Sequence, residues 1–422
     1  MIRYRVRGGN ALQGTAFIQG AKNAVLPMIG AALLAAEGRT VLRNVPIIED
    51  VRRAVELAQS VGARVELHEA ERTLVIDASG VRSPVLPAEI ARRFRGSVLF
   101  VPALLHRLGE AVIEGVGGCN LGSRNLDFHY LGYKRLGAVV DEGDTVIHVK
   151  AAGLTGAPLY LDTPSHTGTE NLIMAAALGR GTTVIENAAL EPEVLDVIDM
   201  LSRMGAKITG GGTGFITVEG VEELRAVEHT VMPDRLDAGV FAMAAAISGG
   251  EVHLVGADLE HLGVVRWKLE QMGVEFHQQG AVLHVRRDRA LRPINVITDT
   301  YPGFATDLQS PIMTVACLAD GASYIHERIF DGRFALAGEL NKMGAHIEVQ
   351  DSRAVVHGPT PLTGTEVTAH DLRSGIALVL AGLAAEGETM ISNGYLIDRG
   401  HSHLADRMQA LGADVRREVS PT

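Results

Sequence analysis

The sequence predicts an α/β protein built from six copies of one unit of about 70 residues, grouped as two domains of three units. A hydrophobic-Gly-small triplet recurs along the chain, and its glycines are 75, 68, 68, 71 and 68 residues apart. The triplets are Val61-Gly62-Ala63, Leu136-Gly137-Ala138, Met204-Gly205-Ala206, Met272-Gly273-Val274, Met343-Gly344-Ala345 and Leu411-Gly412-Ala413. A glycine before a predicted strand recurs at Gly38, Gly109, Gly181, Gly250, Gly321 and Gly387. Two markers that share one period indicate an internal repeat.

The fourth copy shows the elements of one unit most clearly. An apolar helix, a strand, an amphipathic helix and a hairpin follow one another at residues 233–247, 251–255, 261–272 and 274–286. The first helix has no charge beyond its first turn, which is typical of a buried helix. With a strand leading into that helix, each unit is βαβαββ. Three units packed around their buried helices give a domain with helices inside and sheets outside.

The domain boundaries follow from grouping the units three and three. A chain of 422 residues is too long for one compact core, so two domains are expected. We expect the first domain at 22–232 and the second to combine 1–21 with 233–422, with the active site in the cleft between them. The chain start, at Tyr4–Arg7 and Gly14–Ile18, contains no complete unit. We expect it to supply strands that the last repeat lacks.

Composition excludes several classes of function. A net charge of −11 argues against nucleic-acid binding, and two cysteines cannot form a disulfide framework. The most apolar segment, 375–385, is roughly half the length that a bilayer requires. Met1–Arg7 alternates like a strand and lacks the apolar core of a signal peptide, so we expect a cytoplasmic protein that contacts no membrane. His401 and His403 do not share a helix face, and we expect no metal site.

Cations stand where the buried helices begin. Four of the six first turns carry a lysine or an arginine, namely Lys22, Arg95, Arg235 and Arg373. A cation at the positive end of a helix costs up to about 1 kcal/mol, which makes sense where an anionic ligand completes the site. The alternative is that each arginine pairs with a neighbouring aspartate, and Asp234 and Asp371 are close at hand. The four together favour a ligand with several negative charges.

Two further residues are candidates for proton transfer. Asp307 is a carboxylate at a helix start without an adjacent cation, so it is either an ordinary N-cap or a general base. Cys119 lies in the glycine-rich segment 114–124 near Arg124, which makes it a candidate acid or nucleophile on a closing loop. Cys317 lies in an apolar run and is expected to be buried.

These residues occur in motifs that extend along the whole chain, and the chain resembles the enolpyruvyl transferase family. The motifs are Gly20-Ala-Lys-Asn-Ala24, Gly117-Gly-Cys119 with Arg124 and Asp127, Pro233-Asp-Arg235, Thr306-Asp307, Phe330 with Arg333, Asp371-Leu-Arg373 and Ile397-Asp-Arg-Gly400. The resemblance implies an inside-out α/β barrel of two similar domains with three repeats each. This agrees with the unit derived above.

The resemblance also implies a reaction. The enolpyruvyl group of phosphoenolpyruvate would pass to the 3-hydroxyl of UDP-N-acetylglucosamine with release of phosphate, the first committed step of peptidoglycan synthesis. Cys119 would protonate the methylene carbon and Asp307 would take the hydroxyl proton. The family requires no cofactor and no metal, and no oligomer is required. Cys119 further implies sensitivity to the antibiotic fosfomycin, and the pathway links the enzyme to cell shape and division.

The remaining implied roles concern substrate binding. Phosphoenolpyruvate would be bound by Lys22, Asn23, Arg124, Arg333, Arg373 and Arg399, of which Lys22 and Arg399 also count as catalytic. UDP-N-acetylglucosamine would be bound by Asn23, Arg95, Arg124, Asn125, Leu126, Asp127, Phe128, Thr163, Pro164, Ser165, His166, Asp307 and Ile329.

The chain departs from the family pattern near the acceptor residues. Pro164-Ser-His-Thr-Gly-Thr169 stands where the family usually has Pro-Ser-Val-Gly-Ala-Thr, and Ala305 replaces a proline. Two alternatives therefore remain open. One is an enolpyruvyl transferase that acts on another nucleotide or sugar nucleotide, and the other is a non-catalytic paralogue that binds a sugar nucleotide.

Overall fold

A computed structural model describes residues 1–115, 127–143, 145–330 and 332–419. Residues 1–19 form β1 (Ile2–Arg7) and β2 (Gln13–Phe17). Residues 20–232 form α1 (Lys22–Ala32), β3 (Thr40–Arg43), α2 (Glu49–Ser60), β4 (Arg64–His68), β5 (Thr73–Asp77), β6 (Val85–Leu86), α3 (Ala88–Ala91), a 3₁₀ helix (Arg95–Phe100), α4 (Val101–Leu108), β7 (Glu110–Ile113), α5 (Asp127–Arg135), β8 (Val139–Glu142), β9 (Ile147–Lys150), β10 (Pro158–Tyr160), α6 (His166–Ala177), β11 (Thr182–Glu186), α7 (Pro192–Met204), β12 (Lys207–Thr209), β13 (Phe215–Glu219) and β14 (Glu228–Thr230).

Residues 233–419 continue the same pattern. They form α8 (Arg235–Ser248), β15 (Glu251–Val255), α9 (Leu259–Leu262), α10 (Val264–Met272), β16 (Glu275–Gln279), β17 (Val282–Arg286), β18 (Asn295–Ile297), a 3₁₀ helix (Thr306–Leu308), α11 (Gln309–Ala316), β19 (Gly321–His326), α12 (Ala335–Lys342), β20 (His346–Gln350), β21 (Arg353–Gly358), β22 (Glu366–Thr368), α13 (Leu372–Ala384), β23 (Glu388–Ser392), α14 (Tyr395–Asp398), α15 (Leu404–Gln409) and β24 (Asp414–Val419).

The described residues group into two compact units. One unit contains residues 1–19 and 233–419, and the other contains residues 20–115 and 127–232. Each unit has its own hydrophobic core. In the first unit α8, α11 and α13 pack against one another, and in the second α1, α4 and α6 do so. The core helices are buried nearly all round, as their apolar sequences predict.

Six four-stranded sheets surround these helices, three in each unit, and all have the same strand order. In the second, third and fifth repeats the strand that leads into the core helix pairs in parallel with the strand that follows it, and two further antiparallel strands complete the sheet. The third repeat gives the order β10-β11-β13-β12, and the fifth gives β18-β19-β21-β20. The predicted inside-out α/β barrel of βαβαββ repeats is thereby confirmed.

Segments distant in sequence complete three of the sheets. β14, which precedes α8 in the chain, forms the edge strand beside β3 in the sheet of the first repeat. β1 inserts between β23 and β24, and so supplies the strand that the last repeat lacks, as expected. The expectation for the second segment was wrong, because β2 pairs in parallel with β15 and forms an edge strand in the sheet of the fourth repeat. Its single alternating run carries no signal that distinguishes one sheet edge from another.

The glycine markers have a conformational explanation. All six triplet glycines have positive φ, between 88° at Gly412 and 111° at Gly205, where a side chain would be strained. They end the second helix of each repeat in the left-handed conformation that typically terminates a helix. In the fourth repeat Gly249 takes that conformation after the core helix, and a Cβ on Gly250 would lie 2.0 Å from the carbonyl oxygen of Leu12.

Among the described residues, no helix combines the length and the apolar character that a membrane crossing needs.

Candidate active site

The carboxylate of Asp307 lies between two guanidinium groups. Asp307 is in the 3₁₀ turn that precedes α11. Arg373 Nη2 donates to Asp307 Oδ2 at 2.6 Å, and Arg333 Nη2 donates to Asp307 Oδ1 at 2.6 Å. The arginines come from different repeats, since Arg373 is in the first turn of α13 and Arg333 precedes α12. The structure therefore brings together three of the predicted site residues.

The two arginines control the charge of Asp307. Burial opposes ionisation of this carboxyl, but the charges of Arg373 and Arg333 outweigh burial and hold its pKa well below the ordinary range. The same attraction raises the pKa of Arg373 despite its own burial. Without a ligand, Asp307 is thus a firmly ionised acceptor of hydrogen bonds and a weak base.

Arg333 retains unused hydrogen-bond donors. Its side chain is buried, and neither Nε nor Nη1 has a hydrogen-bond partner among the described residues. Its guanidinium carbon lies 5.1 Å from the centre of the Phe330 ring, in cation–π distance. Buried donors without partners cost roughly 1–3 kcal/mol each, and an anionic ligand that accepted hydrogen bonds from them would remove that cost.

Glu327 fixes the loop that carries Ile329 and Phe330. One carboxylate oxygen accepts hydrogen bonds from the backbone N–H groups of Ile329 and Phe330 at 2.8 and 3.1 Å. The other accepts from the Thr306 hydroxyl at 2.9 Å and so joins this loop to the turn that carries Asp307. Sequence reasoning missed Glu327, although a carboxylate directly after β19 and before the Phe330 motif was a possible signal.

The structure shows whether the arginines at the helix starts pair with the aspartates that adjoin them in sequence. Asp234 and Asp371 are ordinary N-caps, each of which accepts hydrogen bonds from two backbone N–H groups in the first turn. The guanidinium of Arg373 does not depend on its neighbour alone, because it reaches Asp307. Arg235 lies with its guanidinium carbon 5.1 Å from the centre of the Tyr301 ring. Asp307 is thus the carboxylate partner of cations far away in sequence.

In the unit formed by residues 20–232, the first cation is also paired. Lys22 is the first residue of α1, and its Nζ lies 2.7 Å from Asp50 Oδ2 in the first turn of α2. Asp50 is buried and also lies 3.8 Å from Arg53. Local sequence carried no signal for this pairing, because an acid in the first turn of a helix is ordinary.

The third repeat carries a His–Glu pair whose carboxylate is buried. Ser165 caps α6 by accepting a hydrogen bond from the Gly168 N–H at 3.1 Å, and His166 is the first helical residue. His166 Nε2 lies 3.1 Å from Glu170 Oε1, one turn along the helix. Within the part of the chain that the structure describes, neither oxygen of Glu170 has a well-formed hydrogen bond, although the side chain is completely buried.

The environment of this pair shifts the pKa values of both side chains. Burial raises the pKa of Glu170 to about 7, although His166 opposes the increase. Burial also disfavours the charged form of His166, but Glu170, with Glu191 and Glu193 nearby, raises its pKa above the ordinary value. The sequence could have shown this contact, because residues i and i+4 are neighbours on a helix.

The other predicted residues are placed individually within their units. Asn23 follows Lys22 in α1, Arg95 begins a 3₁₀ helix, Asp127 and Phe128 begin α5, and Thr163 and Pro164 precede the Ser165 cap. Arg399 is buried where α14 ends. Cys317 is buried, as expected, and burial raises its pKa to about 12. Cys119, Arg124, Asn125 and Leu126 lie outside the described residues.

The chain is similar in sequence to proteins that are named 1-carboxyvinyltransferases. A family model described as EPSP synthase (3-phosphoshikimate 1-carboxyvinyltransferase) matches residues 6–408. A UDP-N-acetylglucosamine 1-carboxyvinyltransferase from Thermobifida fusca (strain YX) is 73% identical over 424 residues, covering 99% of this chain and 98% of that protein. A UDP-N-acetylglucosamine 1-carboxyvinyltransferase 2 from Symbiobacterium thermophilum is 44% identical and covers 98% of both chains.

Solved structures agree with these sequence matches. The enolpyruvyl transferase NikO from Streptomyces tendae has a TM-score of 0.90 at 26% identity, covering 100% of this chain and 99% of that chain. An EPSP synthase from Acinetobacter baumannii has a TM-score of 0.74 at 19% identity and, with 99% and 100% coverage, supports the fold alone. Because the family model and the curated relatives span nearly all of the sequence, the chain belongs to the EPSP synthase family of enolpyruvyl transferases.

Proposed function

We propose that this chain transfers the enolpyruvyl group of phosphoenolpyruvate to the 3-hydroxyl of UDP-N-acetylglucosamine and releases phosphate. The observation that carries the proposal is 73% identity, over nearly the full length, to a relative named for this reaction. The Asp307 carboxylate between Arg333 and Arg373 supports it, because a non-catalytic binding protein has no need of a charged acid–base group held in this way. We further propose that the reaction takes place in the cytoplasm and supplies peptidoglycan synthesis.

The proposed binding roles are those that the family resemblance implies. Lys22, Arg124 and Arg399 bind the phosphate of phosphoenolpyruvate, Arg333 and Arg373 bind its carboxylate, and Asn23 adjoins both substrates. The acceptor is bound by Arg95, Arg124–Phe128, Thr163–His166, Asp307 and Ile329. The partnerless Nε and Nη1 donors of Arg333 support the carboxylate assignment, because they are available to a second anion while Nη2 serves Asp307. That both substrates lie in a cleft between the two predicted domains remains a prediction.

The chemistry has two steps that balance. In the addition, Cys119 gives a proton to the methylene carbon of phosphoenolpyruvate, the sugar oxygen bonds to the central carbon, and Asp307 accepts the hydroxyl proton. In the elimination, the Cys119 thiolate takes a proton back from the methyl group, the C–O bond to phosphate breaks, the proton held by Asp307 leaves with the phosphate, and the enolpyruvyl ether forms. Each positioned acid or base accelerates its step by roughly 10²–10⁴-fold.

The low pKa of Asp307 requires that substrate binding activate this base. A carboxylate held by two guanidinium groups accepts a proton poorly. When the phosphoenolpyruvate carboxylate takes over part of the hydrogen bonding of Arg333 and Arg373, the pKa of Asp307 rises towards its ordinary value. Binding of one substrate thereby prepares the base for the other.

One observation favours a second acceptor as an alternative. His166 is part of the segment in which this chain departs from the family pattern, and it carries a charge that the usual valine lacks. A different nucleotide or sugar nucleotide could therefore be the substrate of the same transfer.

The test is acceptor-dependent release of phosphate. The purified chain is incubated with phosphoenolpyruvate and either UDP-N-acetylglucosamine, another uridine nucleotide, shikimate 3-phosphate or no acceptor. Release with UDP-N-acetylglucosamine supports the proposal, and release with a different acceptor alone contradicts it. Fosfomycin labelling of the wild type and of Cys119→Ala tests the proton donor, since labelling that persists in the variant would place the reactive thiol elsewhere.

A further inference from the structure

The outer face of the fifth-repeat sheet carries two histidines and a glutamate that converge. His346 and Glu348 are on β20, which is the edge strand, and His357 is on the neighbouring strand β21. His346 and His357 are directly opposite each other in the antiparallel register. Glu348 is two residues further along β20 and therefore points to the same face. The residues belong to one sheet, so their relative positions are fixed by its hydrogen bonding.

The side chains bring three ligand atoms together. Glu348 Oε1 lies 3.4 Å from His346 Nε2 and 3.5 Å from His357 Nε2. The two imidazole rings are stacked, with centroids 4.5 Å apart and an interplanar angle of 28°. All three ligand atoms lie within 4.8 Å of one another. Over the described ranges, this is the one group of three or more histidine, cysteine or acidic side chains with that property.

These separations match the edges of a metal coordination tetrahedron. With metal–ligand bonds of about 2.0–2.2 Å, two ligands of a tetrahedral ion are roughly 3.3–3.5 Å apart. Both nitrogen–oxygen distances already fall near that range, and both exceed the 2.7–3.2 Å of an ordinary N–H···O hydrogen bond. Two protonated imidazoles directly opposite each other would repel, whereas two neutral imidazoles can share a cation. A metal ion therefore satisfies this arrangement better than an ion pair.

Although the sequence alone led us to expect no metal site, we propose that His346, Glu348 and His357 form a binding site for a divalent transition-metal ion of the Zn²⁺ class. Two imidazole nitrogens and one carboxylate oxygen favour zinc, copper or nickel over magnesium or calcium, which prefer oxygen ligands. The three side chains are 63%, 67% and 41% exposed, so an ion can enter from solution. Water would fill the fourth position. The bound ion would join the edge strand β20 to β21 and stabilise that edge.

The fourth repeat offers a natural control. His253, His284 and His277 form a row across three neighbouring strands, with ring centroids 4.4 and 5.9 Å apart. This row consists of histidines and lies on the corresponding sheet of another repeat. Its ligand atoms, however, do not all lie within 4.8 Å of one another, as those around Glu348 do. His284→Ala therefore removes a histidine from a cross-strand row without touching the proposed site.

The experiment is a metal titration of the full chain after chelator treatment and desalting. Zn²⁺ is followed by calorimetry and Co²⁺ by its visible absorption, with the wild type, His357→Ala, His346→Ala, Glu348→Gln and His284→Ala. We expect one equivalent of metal to bind, at least about tenfold weaker binding in each of the three ligand variants, and wild-type binding in His284→Ala. Metal should also raise the Tm of the wild type but not that of His357→Ala.

Two results would overturn the proposal. One is a wild type that binds no Zn²⁺ or Co²⁺, and the other is binding that is lost in His284→Ala but kept in His357→Ala. Circular dichroism of each variant shows whether it is folded, and Glu348→Gln, which keeps the size of the side chain, provides a second variant if an alanine variant is not. The site is distinct from the proposed active-site residues, so Zn²⁺ binding is measured independently of phosphate release.

Discussion

Two carboxylates near the starts of core helices have opposite electrostatic situations. Asp307, before α11, has two guanidinium partners, and its pKa lies far below the ordinary range. Glu170, in α6, has one imidazole partner and two further glutamates nearby, and its pKa is raised. Burial acts against the charge in both cases. The number and kind of the cations therefore decide which carboxylate remains ionised.

Exposure separates the two sites further. The Asp307 side chain is 23% exposed, whereas that of Glu170 is 0% exposed. A ligand can therefore compete for the arginines of Asp307, while only protonation or structural change can relieve Glu170. In the fifth repeat, a substrate can therefore replace Asp307 as the partner of the arginines, which suits a catalytic role. In the third repeat, the ion pair changes only with pH, which suits the positioning of His166.

The largest effect on activity is expected from a substitution of Asp307. Asp307→Asn removes the proposed base, so kcat should fall by about 10²–10⁴-fold. Arg333 and Arg373 lose a competing carboxylate in the same variant, so phosphoenolpyruvate should bind at least as tightly as in the wild type. Steady-state phosphate release measures the first quantity and calorimetry with phosphoenolpyruvate alone measures the second.

Asp237 provides a matched control for this substitution. It is also a buried carboxylate in a first helical turn, and Arg407 with His401 holds its pKa at about 2 in spite of burial. Its side chain is 0% exposed, so a substrate cannot reach it. Asp237→Asn should lower the free energy of unfolding and leave phosphoenolpyruvate affinity unchanged in the folded protein. An Asp307→Asn enzyme with a kcat within tenfold of the wild type would contradict the assignment of the base.

The sequence predicted these regions unequally for a physical reason. The repeat was visible because each copy needs a glycine of positive φ where its second helix ends, as at Gly205. The cations at the helix starts were also visible in the sequence, because the start of a helix can be recognised from neighbouring residues. Their partners were not, because Arg333 and Arg373 reach Asp307 across 26 and 66 residues of sequence. The contact of His166 with Glu170 was local and could have been predicted.

The second prediction uses the pH dependence of stability. The folded-state pKa of Glu170 is raised from 4.5 to about 7, so the folded protein binds the proton more tightly than the unfolded chain. Stability from this group is complete below about pH 4.5 and is lost as the pH rises through about 7. The free energy of unfolding of the wild type, relative to Glu170→Gln, should therefore fall by about 1–3 kcal/mol over that window.

Chemical denaturation at several pH values measures this difference. Glu56→Gln, which changes an exposed glutamate on α2, serves as the control and should follow the wild type at every pH. A constant difference between the wild type and Glu170→Gln from pH 4.5 to pH 7 would show that Glu170 is ionised throughout. The contrast with Asp307 would then disappear.

The smallest effect distinguishes packing from binding at the third repeat. His166→Val alone leaves Glu170 buried without its cation and should lower the free energy of unfolding. In the double variant His166→Val/Glu170→Leu, the free energy of unfolding should return to within about 1 kcal/mol of the wild-type value, because a hydrophobic pair can replace a buried ion pair. If His166 also contacts the acceptor, the KM for UDP-N-acetylglucosamine should rise by roughly threefold to tenfold in both variants, because each variant loses one hydrogen bond to the acceptor. Recovery of both stability and KM in the double variant would assign His166 to packing alone. Recovery of stability without recovery of KM would show that this departure from the family pattern determines how the acceptor is bound.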